Sequence, residues 1–198
     1  MDTDALLDRA AQGDSSAVNT LLTRHATRLR GMVALRIDAR LAPRLDPSDI
    51  VQEALAEAHK KLPEYLDNRA VPFYPWLRKI AWEKLVHSHR RHVYAQRRSV
   101  RREAGRLDLS GDSKMMLVDR LAASSASPSD AMVRDELMTR VAAALAELPP
   151  GDHEVIVLKH LENLTFVEAA AVLEMTEEAV RSRYRRAIER VHKIASRE

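Results

Sequence analysis

Cysteine is absent from this chain. That removes disulfides, thiolate nucleophiles and every cysteine-based zinc site, and it suits a cytoplasmic protein. Glycine is scarce, with five residues, and neither a phosphate-cradling glycine loop nor an HExxH pair occurs, so the common nucleotide-hydrolase and zinc-protease signatures are missing. No apolar run approaches the length that spans a bilayer. The first residues, MDTDALLDRAAQGD, are acidic from the second position and do not read as a secretory signal. These absences lead us to expect a cytoplasmic protein that is not an enzyme and needs no cofactor or metal. His87, His89 and His92 sit beside Arg90 and Arg91 and read as solvated or phosphate-facing rather than as metal ligands.

Charge is abundant but unevenly spread. The 32 Lys and Arg nearly balance 29 Asp and Glu, for a net charge of +3. Between Lys84 and Arg106 the only acid is Glu103, and the stretch from Thr176 onward is again basic. Two local basic segments in a nearly neutral chain point to two nucleic-acid contacts rather than to a uniformly adhesive surface.

Strand-like alternation is also missing, and Ala, Leu, Glu and Arg dominate. Helices are expected near 3–12, 15–38, 47–62, 75–94, 128–148, 152–162, 165–173 and 176–196. Their starts are marked: Asp46-Pro47-Ser48-Asp49 and Ser127-Pro128-Ser129-Asp130 each place a capping residue before a proline, and Thr165 with Glu168 forms a capping box. Residues 63–74, with two prolines, read as a loop. The Ser- and Gly-bearing stretch 97–127 reads as a flexible linker with one short helix around Met115–Leu121. The fold class is therefore all-α: two small helical bundles, residues 1–96 and 128–198, joined by that linker.

Within the second bundle, residues 164–190 read LTFVEAAAVLEMTEEAVRSRYRRAIER. A short capped helix, a brief turn and a second helix capped by Thr176 make a helix-turn-helix. Val180, Tyr184, Ala187, Ile188, Val191 and Ala195 recur at helical spacing and face a core. Glu178, Arg181, Ser182, Arg185 and Arg186 occupy the other face. Arginine suits DNA reading because its forked donors match guanine O6 and N7 or a phosphate pair. An Arg-rich helix face is ordinarily just solvated; the small residues Ala169–Ala171, which let two helices approach closely, favour the DNA-reading helix. Glu174 stands where such turns often carry Gly and would cost about 1 kcal/mol in a left-handed backbone.

The first bundle concentrates the aromatics. Of eight Phe, Trp and Tyr side chains, Phe73, Tyr74, Trp76 and Trp82 lie in VPFYPWLRKIAWEKLVHSHRR, with Tyr65 and Tyr94 just outside and Lys79, Arg90 and Arg91 interleaved. Trp82 reads as a packing residue. The cluster at the proline-bearing loop suits the stacking of unpaired bases, with cations following the backbone. On the preceding helix Asp49, Gln52 and Glu53 share one acidic face, which is either ordinary solvated surface or a place for a basic partner protein.

Three stretches together, DPSDIVQEALAEAHKKLPEY, FYPWLRKIAWEKLVHSHRR and LPPGDHEVIVLKHLENLTFVEAAAVLEMTEEAVRSRYRRAIERV, resemble a bacterial RNA polymerase sigma factor of the extracytoplasmic function (ECF) type, in the family's order. The resemblance implies a sigma-2-like domain and a sigma-4-like domain, acting as an alternative sigma factor that binds core RNA polymerase and directs promoter-specific initiation. It implies that Asp49, Gln52 and Glu53 meet the beta-prime clamp of the polymerase. Tyr65, Phe73, Tyr74, Trp76, Lys79, Arg90 and Arg91 would serve the −10 element, where one base is flipped from the duplex. Glu178, Arg181, Ser182, Arg185 and Arg186 would read the −35 element. An anti-sigma factor is a further partner that the family implies. Two departures stand out: Glu174 replaces the usual Gly, and Glu83 sits where some members carry Asn. The rival reading is an ordinary helix-turn-helix regulator that binds duplex DNA without becoming a polymerase subunit.

Overall fold

A computed structural model describes residues 2–37, 45–94, 109–125 and 131–196. Among them all regular structure is helical, in two compact units, Met1–Asp108 and Leu109–Glu198. No helix of the described residues is long and apolar enough to cross a membrane.

The first unit contains α1 (Thr3–Ala11), α2 (Ser15–Ala34), α3 (Pro47–Asp67) and α4 (Phe73–Tyr94). Aspartates start three of them. Asp14 accepts from the amides of Ser16 and Ala17 at 2.9 and 3.1 Å and from Arg9, which holds its carboxyl below the usual range. Asp46 accepts from the Ser48 amide at 2.7 Å with Pro47 in the first turn, as the sequence predicts. The core is built by Leu6, Leu21, Leu29, Met32 and Val33 from the first two helices and Ala54, Ala58, Leu77, Ala81 and Leu85 from the second two.

Two expectations fail in this unit. Helix α3 does not stop at residue 62 but runs through Pro63 to Asp67. An interior proline costs about 3 kcal/mol, yet the buried stripe Val51, Ala54, Ala58, Leu62 and Tyr65 continues past it. Pro63 and His59, whose carbonyl loses its helical donor, lie on the exposed side. Burying Leu62 and Tyr65 outweighs that cost. Helix α4 likewise begins at Phe73 rather than Pro75; Pro75 falls in the first turn, where amides have no helical acceptor anyway. The expected twelve-residue loop is therefore five residues, 68–72.

The second unit contains α5 (Gly111–Ser125), α6 (Ala131–Glu147), α7 (Pro150–His160), α8 (Phe166–Leu173) and α9 (Glu177–Ala195). The linker expectation needs correction at α5. That helix extends well beyond Met115–Leu121 and packs on α6 and α7, burying Leu117, Val118, Leu121 and Ala122. Its apolar residues recur at i, i+1, i+4 and i+5, one face of a helix, which the surrounding Ser and Gly obscured. Residues 97–108 and 126–127 of the expected linker, and the Ser127–Asp130 helix start, lie outside the described residues. Val155, Ile156 and Leu158 of α7, Leu164, Ala169 of α8, and Val180, Ala187 and Val191 of α9 close the core.

Candidate nucleic-acid interface

The helix-turn-helix forms as its capping residues dictate. Thr165 Oγ1 accepts from the Glu168 amide at 3.1 Å while Glu168 Oε2 accepts from the Thr165 amide at 2.8 Å, which starts α8. Thr176 Oγ1 accepts from the Ala179 amide at 3.2 Å and starts α9. Between them Glu174 adopts φ 53° and ψ 44°, the left-handed conformation that its position suggests. Ala169 and Ala170 are buried and allow α8 to sit close to α9.

This arrangement turns one face of α9 outward. Glu178, Arg181, Arg185 and Arg186 are exposed and Ser182 is half-buried. Arg186 Nη1 donates to Ser182 Oγ at 2.9 Å. Arg181 is more constrained: its Nε donates to Glu177 Oε1 at 2.9 Å, Nη2 donates to the same oxygen, and its guanidinium lies 4.4 Å from the centroid of the Phe166 ring. Lys159 Nζ lies 4.3 Å from that centroid and donates to the Leu164 carbonyl; burial, and next the Arg181 charge, lower its pKa against the pull of Glu168. The Tyr184 and Phe166 rings meet at a T-shaped angle with centroids 5.7 Å apart, and the Tyr184 hydroxyl shares a 2.9 Å hydrogen bond with His160 Nε2. Phe166 and Lys159 were not among the expected site residues, and Glu177 was not expected as the partner of Arg181. The signal was present in principle, since Glu177 and Arg181 are four apart on one helix, but the ring contact is tertiary.

In the first unit the aromatic cluster forms, though not as expected. Tyr65, Phe73 and Tyr74 are 5%, 3% and 3% exposed. Tyr65 stacks on Trp76 with centroids 4.5 Å apart, Phe73 lies 5.4 Å from Trp76, and His25 of α2 touches both Phe73 and Tyr74. Arg28 of α2 covers the Tyr74 ring at 3.6 Å. A ring enclosed in this way has no face left for a base, so Tyr65, Phe73 and Tyr74 are not stacking surfaces in this structure. Trp76 is half-buried, while Lys79, Arg90 and Arg91 are exposed. Trp82, expected in the core, is half-buried, with the guanidinium groups of Arg36 and Arg78 at 5.2 and 5.7 Å from its ring.

The loop itself is tied at both ends. The Tyr65 hydroxyl donates to the Val71 carbonyl at 2.9 Å, and Arg69 donates to Asp8 at 2.8 Å and to the Leu7 carbonyl at 3.2 Å. On the exposed side of α3, Asp49, Gln52 and Glu53 form a continuous accessible face. Glu57, one turn on, is instead engaged by Lys61 at 3.3 Å and Lys84 at 3.8 Å, which lower its pKa.

Comparison with known proteins shows the family of the chain. Residues 21–95 match the family described as sigma-70 region 2, and residues 138–191 match sigma-70, region 4. The chain belongs to the sigma-70 family. Among curated relatives, the ECF RNA polymerase sigma-E factor of Escherichia coli (strain K12) is 29% identical over 191 residues, covering 94% of this chain and 90% of the relative. The sigma-E factor of Haemophilus influenzae is 29% identical over 187 residues, covering 94% and 92%. A solved structure of CnrH in complex with the cytosolic domain of CnrY is similar at 27% identity and a TM-score of 0.51, covering 97% of this chain and 96% of that one. The protein is thus an ECF sigma factor, an alternative specificity subunit that directs transcription initiation with core RNA polymerase on promoter DNA. The family match to region 2 covers α3, the loop and α4, and the match to region 4 covers α7 to α9.

Proposed function

We propose that this sigma factor divides promoter recognition between its two units, acting in the cytoplasm and contributing binding energy but no bond chemistry. Helix α9 reads the −35 element as duplex DNA through Arg181, Arg185 and Arg186, with Glu178 and Ser182 beside them. The first unit takes the −10 element where it is unpaired. There Trp76 and the 68–72 loop meet the displaced bases and Lys79, Arg90 and Arg91 follow the backbone. Tyr65, Phe73 and Tyr74 support this surface from beneath. Asp49, Gln52 and Glu53 dock a basic face of the beta-prime clamp. The observation that carries the reading is the capped α8–α9 pair with its outward arginine face, in a chain whose other unit ties the 68–72 loop to Tyr65 of an aromatic cluster. Its likeness to CnrH, solved with the cytosolic domain of CnrY, supports regulation by an anti-sigma factor.

The deciding experiment is run-off transcription on a genomic fragment library with purified core polymerase, with and without this protein. Discrete promoter-directed transcripts only when both are present are expected. Tight sequence-specific duplex binding by the protein alone, with no effect on core polymerase, would instead identify an ordinary helix-turn-helix regulator.

A further inference from the structure

Arg181 is held by both a carboxylate and an aromatic ring before any DNA arrives. A guanidinium presents two flat donor edges, a side edge made by Nε and Nη2 and an end edge made by the two terminal nitrogens. Glu177 Oε1 occupies the side edge, accepting from both Nε and Nη2. The Phe166 ring lies against the group, its centroid 4.4 Å from Cζ. That ring is itself contacted edge-to-face by the Tyr184 ring, centroids 5.7 Å apart, and by Lys159 Nζ at 4.3 Å. What remains to bind is the end edge, whose two parallel donors match the O6 and N7 acceptors of guanine.

The Glu177 carboxylate also decides what the end edge accepts. A phosphate drawn to Arg181 would come beside that negative charge, whereas a guanine edge offers neutral acceptors. Holding one rotamer in advance removes the ordering cost of a long side chain. Extending the assignment of α9 to the −35 element, on which it rests, we propose that Phe166 and Glu177 are positioning residues that make Arg181 a reader of one guanine rather than a phosphate clamp. Specificity at that base pair is then set partly from α8, by a side chain that does not touch DNA.

The test uses holoenzyme reconstituted from core polymerase and the full chain. Transcription is measured on a promoter set in which every base pair of the −35 element is varied singly. Arg181→Ala should erase the preference for guanine at one position. Phe166→Leu, which keeps an apolar side chain but loses the ring face, and Glu177→Ala, at an exposed helix start, should each lower the preference at that same position by roughly tenfold. Preferences elsewhere in the element should stay as in the wild type, and Phe166→Tyr should restore the pattern. If both variants keep the wild-type preference while Arg181→Ala loses it, the positioning role is overturned and the −35 assignment stands. Equal weakening on every promoter variant also overturns it, since that marks a purely structural role. An Arg181→Ala protein with all preferences intact would instead remove the −35 assignment of this residue.

Discussion

The Tyr65 hydroxyl donates to the Val71 carbonyl at 2.9 Å, across the turn that joins α3 to α4. The ring of Tyr65 is interior and stacked on Trp76, and burial raises its pKa, so the proton stays in place for this bond. The bond fixes the far end of the 68–72 loop to the end of α3. Tyr65→Phe keeps the ring packing and deletes only that tie. The expected result is a stability loss of about 1 kcal/mol, unchanged association with core polymerase, and weaker strand opening seen as lower permanganate reactivity at the −10 element. Wild-type opening by this variant would make the tie irrelevant to promoter melting.

Glu174 closes α8 with φ 53°, a conformation that L-residues pay to adopt. Glycine adopts it freely. Glu174→Gly should therefore stabilise the second unit by about 1 kcal/mol, measured as a higher Tm, without changing which promoters are used. A lower Tm would show that the Glu174 side chain contributes more than its backbone strain costs.

What the sequence revealed follows the range of the interactions involved. Thr165 with Glu168, Thr176 with Ala179, and Asp46 with Ser48 are bonds between near neighbours, so the helix starts and the helix-turn-helix were readable from local spacing. The strain at Glu174 was readable for the same reason. The burial of Phe73 and Tyr74 was not, because the groups that cover them, His25 and Arg28, lie on α2 more than forty residues earlier. Composition misled at two places. Pro63 suggested a break that the packing of Leu62 and Tyr65 overrides, and the Ser- and Gly-bearing context of α5 suggested a tether where Leu117 and Leu121 anchor a helix. The outward arginine face of α9 was legible as a set of residues; the restraint of Arg181 by Phe166 was not, because it joins two different helices.

His160 couples three helices of the second unit. Its ring bonds Tyr184 of α9, its carbonyl accepts from Arg120 of α5, and burial, followed by the charges of Lys159 and Arg120, lowers its pKa below the ordinary 6.5. The folded protein therefore resists the proton that the unfolded chain accepts. Stability is full above the unfolded pKa and is lost as the pH falls from there through the folded value. The Tm should drop as the pH falls below about 6.5, and His160→Gln should reduce that drop. An identical pH dependence in the variant would place the effect on another group.

The acidic face of α3 separates two kinds of carboxylate. Glu57 is already satisfied by Lys61 and Lys84, whereas Glu53 is exposed on the same helix as Asp49 and Gln52. An exposed charge on a helix surface contributes little to folding, within about 0.5 kcal/mol. It can still matter for a partner, where a like-charge contact costs several kcal/mol and slows encounter. Glu53→Lys should leave the melting curve in place and reduce affinity for core polymerase at least tenfold, read by competition with a labelled sigma factor, on the order of 1.4 kcal/mol. Because the substitution adds positive charge, binding to free duplex DNA should not weaken. A variant that melts normally and competes as well as the wild type would show that α3 faces solvent, not the clamp, in the holoenzyme.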